Sequence, residues 1–265
     1  MEIGNITRRR RSLEECAYPS NLTDSQRMLD AMDQPRPPRE LRPIPSGSPA
    51  DTHQAELAHG RMRLDAMRAH HLDLSRRFLG EELYETDLFF IAVMARSYSL
   101  VDGFISAFDS WNPAVMAPLL RLQIDSLVRV AYLAKAPKVE RLALYLIGGG
   151  EFRKLKDADG KNLSDRRLVE HSQEAHPWIE DVYKATSGWV HFSPAHISAA
   201  IQLTPDESSD ESFLKLFGGI PIRPEQIPLS ALEELLGAMT QATNDLFSYV
   251  EIWEATKQAK LEPAA

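Results

Sequence analysis

Cysteine is all but missing from this 265-residue sequence; Cys16 stands alone. One thiol excludes an intramolecular disulfide and any zinc site built on thiolates, and it fits a reducing compartment. An uninterrupted apolar run of membrane-spanning length is also lacking. The two best windows, 88–108 and 114–133, are broken by Arg96 and Asp102 and by Arg121, Asp125 and Arg129. Both therefore read as core helices, and no membrane partner is expected. Excess positive charge is absent too. A formal net charge of −8 argues against a surface built for indiscriminate phosphate binding, while leaving room for a local basic cleft. A secretory signal is not expected, because the basic run Arg8 to Arg11 leads into Leu13-Glu14-Glu15-Cys16 where apolar residues are required. The expected location is cytoplasmic.

Phosphate-cradling glycine loops are missing as well. Gly148-Gly149-Gly150 is followed by Glu151, Phe152 and Arg153, which reads as a helix stop. Asp157, Asp159 and Gly160 have a partial calcium-loop spacing with the closing glutamate out of register, so a turn is expected there. Glu56 and His59 show the Glu-x-x-His spacing of di-iron bundles, but no second copy exists. His53 and His59 are assigned to a solvated face and the His70-His71 pair to the surface. No metal and no cofactor are expected.

What the sequence does contain is helical periodicity. Hydrophobic residues make up 43%, enough for a sizeable core. Residues 1–50 stand apart: proline-rich around 34–45 and basic at 8–11, they read as a disordered arm. Residues 51–265 read as a single all-α domain, a helical bundle of about five to seven helices. Two helices, about 82–109 and following Pro113, are apolar around most of their circumference and belong in the middle. The first carries a polar stripe of Arg96, Ser99, Asp102, Ser106 and Asp109. Shorter helices are expected over 138–147, from Ser164 or Asp165 through His171, and from Pro177 to a break at Gly188. Thr204 to Ser212 reads as an acidic loop, and 220–224 as extended, one edge strand at most. Ser230 with Glu233 has the spacing of a capping box opening a last helix, 230–260. The apolar stripe of that helix either completes the bundle or pairs with a second copy of the chain.

Two polar constellations stand out. Arg121, Asp125 and Arg129 repeat at four-residue intervals, which makes either an intrahelical ion-pair ladder or the wall of an anion pocket. Tyr183, Ser187, His191, Ser193 and His196 cluster among Trp178, Trp189 and Phe192, either as a tight turn or as a pocket between helices. Arg166 with His171, and Arg63 with His70, also fit the Arg-x4–6-His pattern in which arginine holds a phosphate and histidine moves a proton. Chance supplies that spacing about twice in a chain this rich in both residues, so it carries nothing alone.

The run Leu119-Leu120-Arg121-Leu122-Gln123-Ile124-Asp125-Ser126-Leu127-Val128-Arg129, with Tyr132-Leu133, resembles the central helix of a group of bacterial helical proteins. So does Tyr183-Lys184-Ala185-Thr186-Ser187-Gly188-Trp189-Val190-His191-Phe192-Ser193. These proteins are loosely related to the abortive-infection and HEPN-like groups, and the resemblance covers roughly 85–200. It implies a bacterial cytosolic bundle, often dimeric, in which an arginine and a histidine meet between helices. The chain departs from the HEPN ribonuclease pattern, since Arg121 and His191 are far apart in sequence and Arg166 is followed by Arg167. Two functions follow as expectations. One is a non-catalytic, defence-associated binding or regulatory module whose pocket of Arg121, Asp125, Arg129, Tyr183, Ser187, Ser193 and His196 takes a small anion or nucleotide. It would act as a homodimer through the C-terminal helix. The other is a metal-independent ribonuclease or toxin-type effector, with His191, His171 and Arg166 as catalytic residues acting on RNA.

Overall fold

Apolar residues at helical spacing fold here into helices that share one core. The computed structural model describes residues 50–78, 83–191, 193–194, 196–197, 201–205, 214–218 and 227–261. All of them fall in one unit, which begins at Leu41. The expectation for 1–50 lies outside them, save that Ala50 opens the first helix. Seven α-helices are present among the described residues: α1 (Ala50–Phe78), α2 (Glu85–Asp109), α3 (Pro113–Ala134), α4 (Val139–Ile147), α5 (Asp165–Ser172), α6 (Ile179–Val190) and α7 (Leu229–Leu261). The all-α bundle is thus the architecture.

α3 is the axis. It packs against α2, α4, α5, α6 and α7, while α7 also runs along α1. Met116, Leu120, Ile124, Leu127 and Val130 of α3 are fully buried, together with Phe90, Met94, Val101 and Phe104 of α2 and Leu232, Met239, Leu246 and Val250 of α7. Each such side chain contributes about 1.5–3 kcal/mol on leaving water. α2 is the one described helix long and apolar enough to cross a membrane by length and composition. In this fold it packs against α1, α3 and α4, burying Phe90, Met94, Val101 and Phe104 while Leu88 stays 47% exposed. The apolar stripe of α7 likewise closes the bundle from within.

Asp102 and Asp109 of the α2 polar stripe face arginines of α1, while Arg96 turns to Ser126 and Asp125 of α3. Arg61 grips Asp109 with two hydrogen bonds, Nε to Oδ1 at 2.9 Å and Nη2 to Oδ2 at 3.1 Å, both side chains being less than a tenth exposed. Asp65 pairs with Arg61 and Arg68, and Arg68 with Asp102. At the other end of α2, fully buried Asp87 accepts from Trp253 Nε1 at 2.7 Å, from Lys257 Nζ at 2.8 Å and from its own Tyr84 amide.

A polar ladder crosses the centre. His71 is buried, in contrast to the surface position expected for it; the adjacent pair does point two ways, and it is His70 that stays half exposed, beside Glu251. His71 Nδ1 lies 2.7 Å from the Met67 carbonyl and must donate to it. Nε2 therefore accepts from the Ser97 hydroxyl at 2.8 Å. Ser97 Oγ in turn accepts from Gln123 Nε2 at 2.6 Å, and the same amide reaches Thr243 Oγ1 at 3.2 Å. One side chain from each of α1, α2, α3 and α7 takes part.

Three local expectations change. Gly188 does not break α6, which runs on to Val190; a helical glycine costs only about 1 kcal/mol, and the Ser193 hydroxyl caps the Gly188 carbonyl at 2.6 Å. Ser230 lies inside α7 rather than capping it, because the Ala231 amide bonds to the Pro228 carbonyl and Glu233 turns to His53. Strands occur where none was placed: β1 (Ile201–Pro205) pairs antiparallel with β2 (Leu214–Gly218), Leu203 opposite Leu216. β1 (Ile-Gln-Leu-Thr-Pro) alternates apolar and polar residues, the period of a strand, and β2 does so over Leu214-Lys215-Leu216 before Phe217 breaks the pattern. The extended segment expected at 220–224 lies outside the described residues. Between α2 and α3, Trp111 adopts a left-handed backbone (φ 54°) with its indole only 9% exposed.

Removing one partner of the Arg61–Asp109 pair strands a buried charge. Asp109→Ala is expected to cost about 3 kcal/mol in urea denaturation, with most of it restored in the double variant Arg61→Met/Asp109→Leu. A second expectation concerns pH. Burial pushes the His71 imidazole down to about 4 from 6.5, against the opposing pull of the Met67 carbonyl. The unfolded chain takes up this proton near 6.5 and the folded chain only near 4, so the contribution is complete above 6.5 and is lost as pH falls through that window. Wild type should lose about 2 kcal/mol more than His71→Asn between pH 7.5 and pH 5, read from denaturation midpoints at the two pH values.

Candidate functional site

α3 turns its core face toward α7 and its polar face toward α6. Along that polar face Arg121, Asp125 and Arg129 stack one turn apart. Asp125 binds Arg129 directly and stands 3.9 Å from Arg121 and 3.8 Å from Arg96 of α2. Arg129 continues to Asp165, the first residue of α5, at 2.7 Å, and lies 5.6 Å from the centre of the Phe152 ring. The ladder and the pocket wall, treated as alternatives from sequence, are the same residues: the ion pairs hold the wall in place.

Opposite runs α6. Its entry is tied to α7 through Asp245, which takes His176 Nδ1 at 2.8 Å and Trp178 Nε1 at 3.2 Å, while His176 Nε2 meets the Tyr249 hydroxyl at 2.9 Å. These bonds set the rotation of α6, so that Tyr183, Ser187, Val190 and His191 face α3. Between the two helices lies a cleft of about 470 Å³, lined by Arg121, Leu122, Asp125, Arg129, Asp165, Tyr183, Ser187, Val190 and His191.

Arg121 sits at its heart. The guanidinium lies flat over the Tyr183 ring, 3.4 Å from its centre, and the side chain is 12% exposed. Stacking of this kind is worth roughly 0.5–2 kcal/mol, and it fixes the plane of the group. Among the described residues Arg121 makes no hydrogen bond, so its five N–H donors are uncommitted beyond the long contact to Asp125. Burial pushes the Tyr183 phenol above its ordinary value, with the Arg121 charge pulling the other way. The Ser187 hydroxyl is directed back to the Tyr183 carbonyl at 2.5 Å. His191, exposed at the C-terminal end of α6, closes the rim.

The structure therefore brings together Arg121, Asp125, Arg129, Tyr183, Ser187 and His191. Ser193 and His196 are not among the lining residues. Ser193 caps α6, and His196 accepts from the Ser193 amide at 3.4 Å and packs against Trp189 at 5.1 Å between ring centres. Nor do Arg166 and His171 line the cleft. The Arg166 side chain is 89% exposed and pairs with Glu170 on its own helix. His171 is held by Asp157 at 3.2 Å and packs edge-on against Tyr132. Asp157 organises the turn before α5, accepting from the Asp159 and Lys161 amides and from Arg167 Nε at 2.6 Å. That hydrogen bond holds its carboxyl far below the usual range. The turn reading, rather than a calcium loop, describes this segment. Sequence reasoning missed Asp165 as a cleft residue; its place at the start of α5, just after the Ser164 cap, gave a signal for helix entry and none for contact with α3.

No family model, curated protein or solved structure matches the chain.

The two neighbouring arginines of α5 should separate cleanly by mutation. Arg167→Met is expected to lower the thermal midpoint, because Asp157 loses its main partner. Arg166→Ala should leave stability within about 0.5 kcal/mol of wild type, as expected for a solvent-exposed side chain.

Proposed function

We propose that the cleft between α3 and α6 binds a small anionic ligand of the phosphate or nucleotide class, and that the protein is a non-catalytic binding or regulatory module. The observation that supports this reading is the uncommitted guanidinium of Arg121, held flat by Tyr183 at the wall of a cleft. Arginine in a fixed plane offers two parallel donors to a carboxylate or phosphate, and a charge-assisted pair of this kind is about twice as strong as a neutral one. Removal from bulk water strengthens it further. The cleft volume falls within the range of small-molecule sites.

Charge narrows the ligand class. Asp125 and Asp165 balance Arg121 and Arg129 on the lining, leaving Arg96 nearby and His191 at the rim. A wall so nearly neutral suits one or two negative charges better than a polyphosphate or a nucleic-acid backbone, whose binding grows with each cation that meets a phosphate. The resemblance to abortive-infection and HEPN-like proteins supports a bacterial, cytoplasmic, defence-associated role as a homodimer. Because the apolar stripe of α7 is buried within its own bundle, a dimer through that helix would use its outer face, where Ile252 is 64% exposed.

The ribonuclease reading retains one supporting observation: Arg121 and His191 share a cleft. The compact pair Arg166 and His171 does not join them there. Titration calorimetry with inorganic phosphate and adenosine monophosphate separates the two readings. Saturable binding is expected, weakened about tenfold or more in Arg121→Gln by loss of one charge-assisted contact, with helicity unchanged. RNA incubated with wild type in chelator should stay intact. Cleavage that disappears in His191→Ala would transfer the assignment to the ribonuclease. Absence of both binding and cleavage would overturn the use of this cleft.

A further inference from the structure

A second cleft, of about 580 Å³, lies where the beginnings of α1 and α7 cross, lined by Ala55, Glu56, His59, Gly60, Arg63, Glu233, Leu236 and Gly237. None of its residues lines the first cleft. At its edge one nitrogen of His53 and one carboxylate oxygen each of Glu56 and Glu233 lie within 4.8 Å of one another. We propose that His53, Glu56 and Glu233 form a three-donor binding site for a divalent first-row transition-metal ion such as zinc.

The argument begins with register. His53, Glu56 and His59 recur at three-residue steps, so successive donors meet along one side of α1. Glu233 arrives from α7, 180 residues beyond His53 in the sequence, and its carboxylate touches the His53 ring through Nδ1. The sequence alone offers Glu56 with His59 at the Glu-x-x-His spacing of di-iron bundles and no second copy of that unit. The helix crossing instead brings Glu233 to His53 and Glu56.

The chemistry fits an intermediate cation. One imidazole and two carboxylates are a mixed N/O set that suits zinc and its neighbours rather than calcium, which takes six or more oxygens. Bonds of about 2.0–2.2 Å place the donors of one tetrahedral ion roughly 3.3 Å apart. His53 Nδ1 and Glu233 Oε1 stand 2.5 Å apart and all three donors lie within 4.8 Å, so reaching that spacing needs side-chain adjustments on the order of an ångström, the close pair opening to admit the ion. Two carboxylates also neutralise a dication, and the Glu233 side chain, 24% exposed, is shielded enough for that to count.

The wall beside the donors is bare: an added Cβ at Gly60 would stand 3.4 Å from Leu236 Cδ1, an ordinary van der Waals contact. An added Cβ at Gly237 would meet nothing within 4 Å. A glycine inside a helix costs about 1 kcal/mol relative to alanine, and packing gives no return here; its bare backbone keeps the cleft beside the ion open. Three protein donors with an open side is the arrangement that leaves a coordination position for water or an anion, with Arg63 along the same wall to receive negative charge.

The test is zinc competition against a chromophoric chelator at neutral pH, using tag-free full-length protein. One zinc per chain at micromolar affinity or tighter is expected. Glu233→Gln and His53→Ala should each weaken binding about tenfold or more, while His70→Ala, which alters a histidine outside the set, should not. Zinc should also raise the thermal midpoint of wild type and not of Glu233→Gln. If either variant loses helicity, the exposed position decides: folded Glu56→Gln must show the same loss. No competition for zinc at tens of micromolar protein, or undiminished binding in all three variants, would overturn the site.

Discussion

The hydrogen-bonded chain from His71 through Ser97 to Gln123 and Thr243 is the constraint on which the rest of the bundle depends. Apolar side chains alone allow helices to slide or rotate past one another at little cost. A buried amide or hydroxyl does not, because each unmatched polar group forfeits about 1–3 kcal/mol. Here the Met67 carbonyl dictates the His71 tautomer, the tautomer dictates the direction of the Ser97 hydroxyl, and that direction leaves Ser97 to accept from Gln123. A shift of any one of the participating helices breaks at least one link. Only Gln123 Oε1 is left without a protein partner in this chain of bonds.

Fixing α3 in this way has a consequence on its opposite side. Gln123 lies between Arg121 and Asp125 in sequence, so the bond that sets its position also sets how the two ionic residues meet α6. Asp245 performs the matching task for α6 through His176 and Trp178. The cleft therefore inherits its geometry from two buried or half-buried polar anchors, and the plane of Arg121 over Tyr183 is set by the fold itself. Under the proposed binding role, such prior ordering would reduce the entropic cost of taking up a ligand.

Much of this was legible in the sequence. Nearly all-round apolar character identified α2 and α3 as the centre, and a four-residue repeat of charge together with a cluster of Tyr183, Ser187 and His191 marked both walls of the cleft. What escaped was whatever depended on partners distant in the chain. His71 reads as surface until Ser97 and Phe247 surround it. The glutamate spaced for a capping box is drawn away by His53. Gly188 reads as a break because its own propensity is weak, yet the Ser193 cap and the packing of α6 hold the helix through it. Ser193 and His196 share composition with the cleft residues but fall beyond the end of α6, where the chain has already turned.

Trp111 illustrates how a position can become locked. Its left-handed backbone costs about 1–2 kcal/mol for any residue but glycine, and glycine would relieve that strain only by vacating the volume of a buried indole, a loss of roughly 3–5 kcal/mol. Every smaller side chain keeps the strain and gives up packing as well. No single exchange improves both, so the corner joining the two central helices sits in a local optimum from which one-step mutation leads only downhill. A random substitution therefore costs most at the α2–α3 connection and least on exposed faces such as that of α4, where Leu144 and Ile147 meet solvent.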